Sequence, residues 1–489
     1  MRHHIRSGGL MLVATLAATV FSAAQPAPAS DRGAAIDALL SRYAAVKHFN
    51  GATLVAEGGN VVQKAGFGLA EVSFAVRNTP ETRFRLGAIS QLFTGVLIVQ
   101  LVDERRIGLD ATLAELLPDY RKDTGARITI RHLLTHSSGL PDPRGAASPC
   151  AGADEPPLDR ARLVTDRCSG DLESEPGSVT RPNGCNYVLL ATVVERVTGQ
   201  PFERALQERV LAPARLSATT DAVANPPAVV PRLAHGYDRD GASFRLAAEG
   251  DLAAAFGWSS LASTVGDLYR FDQALYGPLV SATSRQALFT PGQGGLGAGW
   301  DVRSLPIGPG GAPRTVASQS GQLGAHQARI TRVLEDRHLV VLLSNTSGAP
   351  LAEMEQGVLD ILYRRPPASP QLSVAEEVAG VLSTKGLDAA LAKQRALASG
   401  PTAGRAVSES ELIALGRDLL RQGQTTAGVA ILRQVTESSP TSAPAWDALG
   451  DALAAAGEKN EAVRSYAKSL QLEPGDTHAL ERLTTLAKP

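Results

Sequence analysis

A serine followed three residues later by a lysine places a nucleophile and its base on one face of a helix, an arrangement suited to acyl transfer. The 489 residues contain one such pair, Ser465 with Lys468. This pair falls within a predicted repeat helix near the end of the chain, where chance explains the spacing. The whole chain has only eight lysines. Its main part therefore offers no serine–lysine pair.

Two histidines, His132 and His136, stand four residues apart, a spacing that can offer two ligands to a metal ion from one helix face. No glutamate follows the first histidine, as the H-E-x-x-H arrangement requires. A helix-end role, satisfied by backbone hydrogen bonds, is therefore the interpretation that we prefer. We predict neither a metal ion nor another cofactor.

The chain has three cysteines, Cys150, Cys168 and Cys185. Their spacing lacks the C-x-x-C pairs typical of zinc sites. One disulfide and one spare thiol is the simple interpretation, and three pairings are open.

The composition shows no footprint of a nucleic-acid partner, since the net charge is −1. Residues 1–29 carry Arg2 and Arg6, then an apolar run and small residues, which is typical of a signal peptide. A membrane anchor is the less favoured alternative, because the run is shorter than the roughly 20 apolar residues of a span. We therefore expect export, most simply to the bacterial periplasm, with no membrane span in the mature chain.

Strand-like and helix-like segments mix in the body that must position any site. Residues 52–56 and 61–65 flank a Glu-Gly-Gly-Asn turn and predict a hairpin. Residues 92–102 are too apolar for a surface helix and predict a buried one. Residues 327–333 and 338–345 predict two further strands. This pattern indicates an α+β or α/β body.

The tail carries a repeat of 34 residues. Small and large residues recur at tetratricopeptide spacings, for example Gly450 and Tyr466 one period after Gly416 and Leu432. Such repeats present a concave surface, so we expect a protein partner there. The predicted divisions are a signal peptide at 1–29, a body at 30–368, a helical connector and linker at 369–408, and repeats at 409–442, 443–476 and, in part, 477–489.

Five segments of the body resemble the serine β-lactamases, DD-peptidases and related penicillin-binding-protein-like esterases of class C type, in family order. The segments are Phe84-Arg85-Leu86-Gly87 with Phe93-Thr94-Gly95, His132 to Pro141, Asn186 to Leu190 with Val197-Thr198-Gly199, Leu268 to Gly277, and Leu342 to Asn345. The resemblance spans residues 34–365 and implies the α+β fold of that family, an antiparallel sheet flanked by helices plus a helical domain.

The resemblance also implies a serine nucleophile, a lysine one turn later, a Tyr-x-Asn motif and a K-T-G-like strand. Without gaps, Ala88 stands at the nucleophile and Gln91 at the lysine. Pro182 and Gly184 stand where tyrosine and asparagine are expected, and Gln319 opens the last motif. The predicted catalytic side chains are therefore all replaced.

What the resemblance leaves is geometry. The amides of Ala88 and Gln322 occupy the places of the family's oxyanion hole, with Ser90, Ser320 and Gly321 as neighbouring binding candidates. We therefore predict an exported non-catalytic protein of the cell envelope, whose body binds a peptide, a peptidoglycan fragment or nothing at all and whose repeats recruit a protein.

The alternative is a hydrolase of amide or ester bonds that works with a rearranged site. Cys185, close to the lost Tyr-x-Asn motif, is a candidate substitute nucleophile, although a disulfide with Cys150 or Cys168 is the interpretation that we favour.

Overall fold

The computed structural model describes residues 31–46, 49–142, 160–222, 229–240, 243–247, 255–277, 279–399 and 409–486. The predicted signal peptide, Cys150 and residues 400–408 of the predicted linker lie outside these ranges.

Thirteen strands lie among the described residues: β1 Gly51–Glu57, β2 Asn60–Phe67, β3 Leu69–Glu71, β4 Val76–Arg77, β5 Phe84–Arg85, β6 Thr220–Asp221, β7 Tyr237–Asp240, β8 Ser243–Leu246, β9 Leu261–Ser263, β10 Asp301–Leu305, β11 Arg314–Leu323, β12 His326–Val333 and β13 His338–Ser344. Six of them form an antiparallel sheet in the order β10-β11-β12-β13-β1-β2. The hairpin and the two late strands predicted from the sequence are confirmed.

Eleven helices belong to the body: α1 Asp31–Val46, α2 Ser90–Asp103, α3 Leu113–Leu116, α4 Lys122–Gly125, α5 Ile130–Leu134, α6 Arg160–Arg162, α7 Gly184–Thr198, α8 Phe202–Leu206, α9 Val265–Tyr276, α10 Ala282–Leu288 and α11 Leu351–Leu362. The predicted buried helix is confirmed as α2. Phe93 on α2 stacks on Phe271 of α9, with 4.2 Å between ring centroids.

Helices cover both faces of the large sheet. Side chains alternate along β1, so Ala52 and Leu54 join one hydrophobic cluster with α2, and Val55 joins another with Ile36 of α1 and Met354 of α11. The body is therefore a sheet between two helical layers, and the predicted α+β fold is confirmed.

Seven helices form the tail: α12 Val374–Lys385, α13 Leu387–Ser399, α14 Glu409–Arg421, α15 Thr425–Ser438, α16 Ala443–Ala455, α17 Lys459–Leu472 and α18 Thr477–Leu486. They share a hydrophobic cluster separate from those of the body. A Cβ added to Gly416 or Gly450 would lie 2.4 Å from Leu432 or 2.6 Å from Tyr466, respectively. Small residues thus let paired helices approach, as the repeat pattern predicts. Within the described ranges, no helix has the length and apolarity needed to cross a bilayer.

Candidate functional site

Ala88 lies in a single helical turn that joins β5 to α2, in direct contact with β11. Gly87 has a φ of +56°, and a Cβ there would lie 2.4 Å from the Gln322 amide nitrogen. A Cβ on Gly321 would lie 1.9 Å from the Leu86 carbonyl oxygen and 2.9 Å from the Ala88 nitrogen. Only glycines permit this approach. The structure therefore brings together the two backbone segments that carry the Ala88 and Gln322 amides.

We call the surface formed by Ala88, Ser320, Gly321 and Gln322 the cleft. Ser320 and Gln322 are exposed, and Ala88 is half-buried. The side chain of Ala88 is a methyl group, which cannot act as a nucleophile in acyl transfer.

Ser90 does not belong to the cleft. It is buried, and its hydroxyl oxygen accepts a hydrogen bond from the Leu261 backbone nitrogen at 3.1 Å. Ser90 therefore anchors β9 to the start of α2 and offers no hydroxyl to a ligand in this structure.

Gln91, one helical turn after Ala88, is buried and belongs to a polar network. Its Oε1 lies 3.1 Å from His136 Nε2. His136 Nδ1 lies 3.1 Å from the Asn183 backbone nitrogen and 3.0 Å from Asn186 Nδ2. A backbone N–H can only donate, so Nδ1 is the acceptor and the ring proton sits on Nε2, donated to Gln91.

Burial lowers the pKa of His136 to about 4, so the ring is neutral at pH 7. Its one lone pair is occupied by the donors from Asn183 and Asn186. Gln91 and His136 therefore form a neutral amide–imidazole pair with no free basic nitrogen.

Tyr187 approaches the same network without supplying a base. Its ring lies 5.1 Å from the His136 ring, and its hydroxyl donates to the Leu134 carbonyl at 3.0 Å. Burial raises the pKa of Tyr187 above its usual value. This tyrosine therefore serves packing and does not replace the missing Tyr-x-Asn motif.

The Pro182-Asn183-Gly184 segment holds the start of α7 in place through hydrogen bonds of Asn183. The Asn183 side chain accepts from the Cys185 nitrogen at 2.9 Å, which caps α7, and donates to the Leu140 and Pro141 carbonyls, each at 3.0 Å. The Asn186 side chain accepts from the Ser138 hydroxyl at 2.6 Å.

Cys185 pairs with Cys168 in a disulfide. The sulfur of Cys185 is thus held in a covalent bond, and the residue is only 1% exposed. A thiol nucleophile at this position is incompatible with that pairing. Oxidised cysteines are typical of exported proteins.

Gln319, at the start of the last motif, donates through Nε2 to the Gly299 carbonyl at 2.6 Å and accepts from the Ser320 nitrogen at 2.9 Å. The Ser320 hydroxyl accepts from Arg329 at 2.6 Å. Gln319 therefore ties β11 to the Gly299 backbone.

The two histidines with metal-like spacing have separate partners. His132 Nδ1 accepts from the Thr129 nitrogen at 3.3 Å and caps the start of its own helix, while His136 serves the Gln91 network. Among the described residues, side chains suited to a metal converge at Asp447, Asp451 and His478 in the tail.

Sequence reasoning missed the network around His136. His136 and Asn186 each lie in a segment that carries the family resemblance, but no local pattern in the sequence shows that their side chains meet. They are 50 positions apart.

The sequence model of the Beta-lactamase family matches residues 36–363, and that of the Tetratricopeptide repeat matches residues 443–476. Penicillin-binding protein 4* of Bacillus subtilis is 28% identical over 349 residues, which cover 65% of this chain and 74% of that protein. Teichoic acid D-alanine hydrolase of Staphylococcus aureus is 25% identical over 252 residues, 52% of this chain and 58% of that protein.

Solved structures show the same fold. FmtA from Staphylococcus aureus aligns with a TM-score of 0.57 at 21% identity, over 70% of this chain and 92% of that one. The octameric penicillin-binding protein homologue from Pyrococcus abyssi aligns with a TM-score of 0.59 at 23% identity, over 73% of this chain and 82% of that one.

Proposed function

This chain belongs to the beta-lactamase family, and from that premise we propose that it is an exported cell-envelope protein that binds ligands but has lost acylation. The observation that carries the proposal is Ala88 at the nucleophile position, backed by the neutral Gln91–His136 pair. An acyl-enzyme requires an oxygen or sulfur nucleophile, and a methyl group supplies none.

The lost base matters as much as the lost nucleophile. Removing either group from a serine hydrolase costs on the order of 10⁶ in turnover. His136 cannot act as the base, because its pKa is about 4 and its lone pair already accepts from Asn183. Gln91 has no basic nitrogen. On the same grounds, we propose that this network does not activate a water molecule.

The retained cleft supports binding. The Ala88 and Gln322 amides belong to backbone segments in close contact, and polar side chains of Ser320 and Gln322 are exposed beside them. Such donors suit a carbonyl or carboxylate oxygen, so the proposed ligand is a peptide or a peptidoglycan-like fragment. The tail would recruit a protein through its repeats.

A fluorescent penicillin tests the loss of acylation. We expect no covalent label on the purified protein in a denaturing gel. Stoichiometric labelling that a cleft substitution abolishes would overturn the proposal.

A second measurement tests binding. An acyl-D-alanyl-D-alanine peptide, added in a calorimetric titration, should bind the wild type and fail to bind Ala88→Trp, whose indole fills the cleft. Val61→Trp is the matched control, since Val61 is exposed on β2 outside the cleft. Equal affinity in all three proteins would show that the cleft is not the binding site.

A further inference from the structure

A pocket away from the cleft lies where β2, the segment before β5 and the start of α9 meet. Its volume is about 410 Å³, and none of its lining residues belongs to the cleft. Four cationic side chains and one acidic side chain line it: Lys64, Arg83, Arg232, Arg270 and Glu81. The lining of this pocket therefore has an excess of positive charge, whereas the whole chain has a net charge of −1.

Two of the four cations have acidic partners. Lys64 Nζ lies 3.3 Å from Glu81 Oε1, and Arg270 pairs with Asp267. Asp267 is buried behind the lining residues and also accepts from the Ala218 nitrogen at 2.8 Å, which holds its carboxylate in place.

The other two cations have no acidic partner among the described residues. Within the described ranges, the Arg83 guanidinium donates to the Ser217 carbonyl alone, at 3.5 Å, and the Arg232 guanidinium has no hydrogen bond or ion pair. Their backbones are joined, because the Arg83 nitrogen donates to the Arg232 carbonyl at 2.8 Å. Arg232 adopts a φ of +60°, which L-residues rarely occupy. Two guanidinium groups that lack an acidic partner among the described residues are thus carried by neighbouring backbone segments.

The remaining cations converge on Gly266, in the first turn of α9. A Cβ built there would lie 3.8 Å from Lys64 Nζ and 4.0 Å from Arg270 Nη1. The first N–H groups of a helix lack acceptors and carry partial positive charge, so cations beside them repel. An anion at this point would relieve that repulsion and accept from the Lys64 ammonium and the Arg270 guanidinium.

We propose that this pocket binds a phosphate group, as the free ion or as a phosphate monoester. Four cations against Glu81 and Asp267 leave two positive charges, which match a dianion. Guanidinium groups and helix amides are the donors that favour phosphate oxygens. The site is separate from the cleft, so it stands whether or not the cleft binds a peptide.

Calorimetric titration of the full chain at low ionic strength tests the site, with inorganic phosphate and glycerol 3-phosphate as probes. The double variant Arg83→Ala/Arg232→Ala should weaken binding by about 100-fold, since two charge-assisted hydrogen bonds are lost. Arg42→Ala/Arg77→Ala is the matched control, because it removes the same charge outside the pocket, and it should retain the wild-type affinity.

Gly266→Asp gives an independent readout if the arginine variant fails to fold. The new carboxylate would lie among the converging cations in the first turn of α9, where acidic residues stabilise a helix. We expect a higher Tm in phosphate-free buffer and loss of phosphate binding.

Binding of either probe with this pattern supports the site, and the tighter probe identifies the free ion or the ester as the source. Three results would overturn the proposal: no binding of either probe, an equal loss of affinity in the control pair, or a lower Tm in Gly266→Asp.

Discussion

The substitution Ala88→Ser should not restore acylation, because the side chains behind position 88 offer no base. In Ala88→Ser the new hydroxyl would stand one helical turn from the Gln91 amide, which cannot take its proton. The His136 ring beyond it donates through Nε2, and burial holds its pKa at about 4. In serine hydrolases the loss of the base alone costs about as much as the loss of nucleophile and base together, roughly 10⁶ in turnover. Restoring the nucleophile alone therefore recovers almost none of that factor.

The assay is labelling by a fluorescent penicillin, followed by a denaturing gel and mass spectrometry of the intact protein. Ala88→Ser and the wild type should both remain unlabelled. Ala455→Ser, at the end of a tail helix, controls for a new exposed hydroxyl. Stoichiometric labelling of Ala88→Ser within minutes would refute the reasoning, because it would require a base that this network does not contain.

Three further outcomes are expected. Gln91→Leu should lower the free energy of unfolding by about 1–3 kcal/mol in urea titrations, because the buried His136 N–H loses its acceptor. Reducing the Cys168–Cys185 disulfide should lower the free energy of unfolding by about 3 kcal/mol, as measured in urea titrations with and without reductant. The tail should lose stability as pH rises above 6.5, because a hydrogen bond to the Asp447 carboxylate raises the pKa of His478 in the folded state. In thermal melts, His478→Gln should lack this loss of Tm with rising pH.

The sign of the His478 effect follows from its partners. A folded-state pKa above the unfolded value gives stability that is complete below the unfolded pKa and is lost as pH rises through the folded pKa. Asp447 accepts from the ring at 2.8 Å. Burial raises the pKa of that carboxyl from its usual value of 3.8, so its own effect on stability begins in the acid range and is separate from that of His478. Asp451 and Arg482 lie beside the pair, with Arg482 Nε 3.4 Å from Asp451 Oδ1. A melting temperature that rises between pH 6 and 8 through His478 would contradict this assignment.

Much of the framework could be predicted because its signals are local. The turn between residues 57 and 60, the apolar run of α2 and the alternation along β13 each specify an element within a short window. The 34-residue period likewise fixes the paired helices of the tail. The prediction that catalytic residues are replaced at positions 88 and 91 also comes from the sequence, since the order of the motifs alone places these positions.

The sequence by itself therefore determined the family framework, the repeats and the absence of a Ser–Lys pair in the body. Only the tertiary structure showed that Gln91 contacts His136 and that four cationic side chains line one pocket. The Gln91–His136 contact joins residues 45 positions apart, and Arg83 meets the Arg232 backbone across a still longer interval. Such encounters depend on how sheet and helices pack, which no local periodicity encodes. The tautomer of His136 and the approach of Lys64 and Arg270 to Gly266 are consequences of that packing.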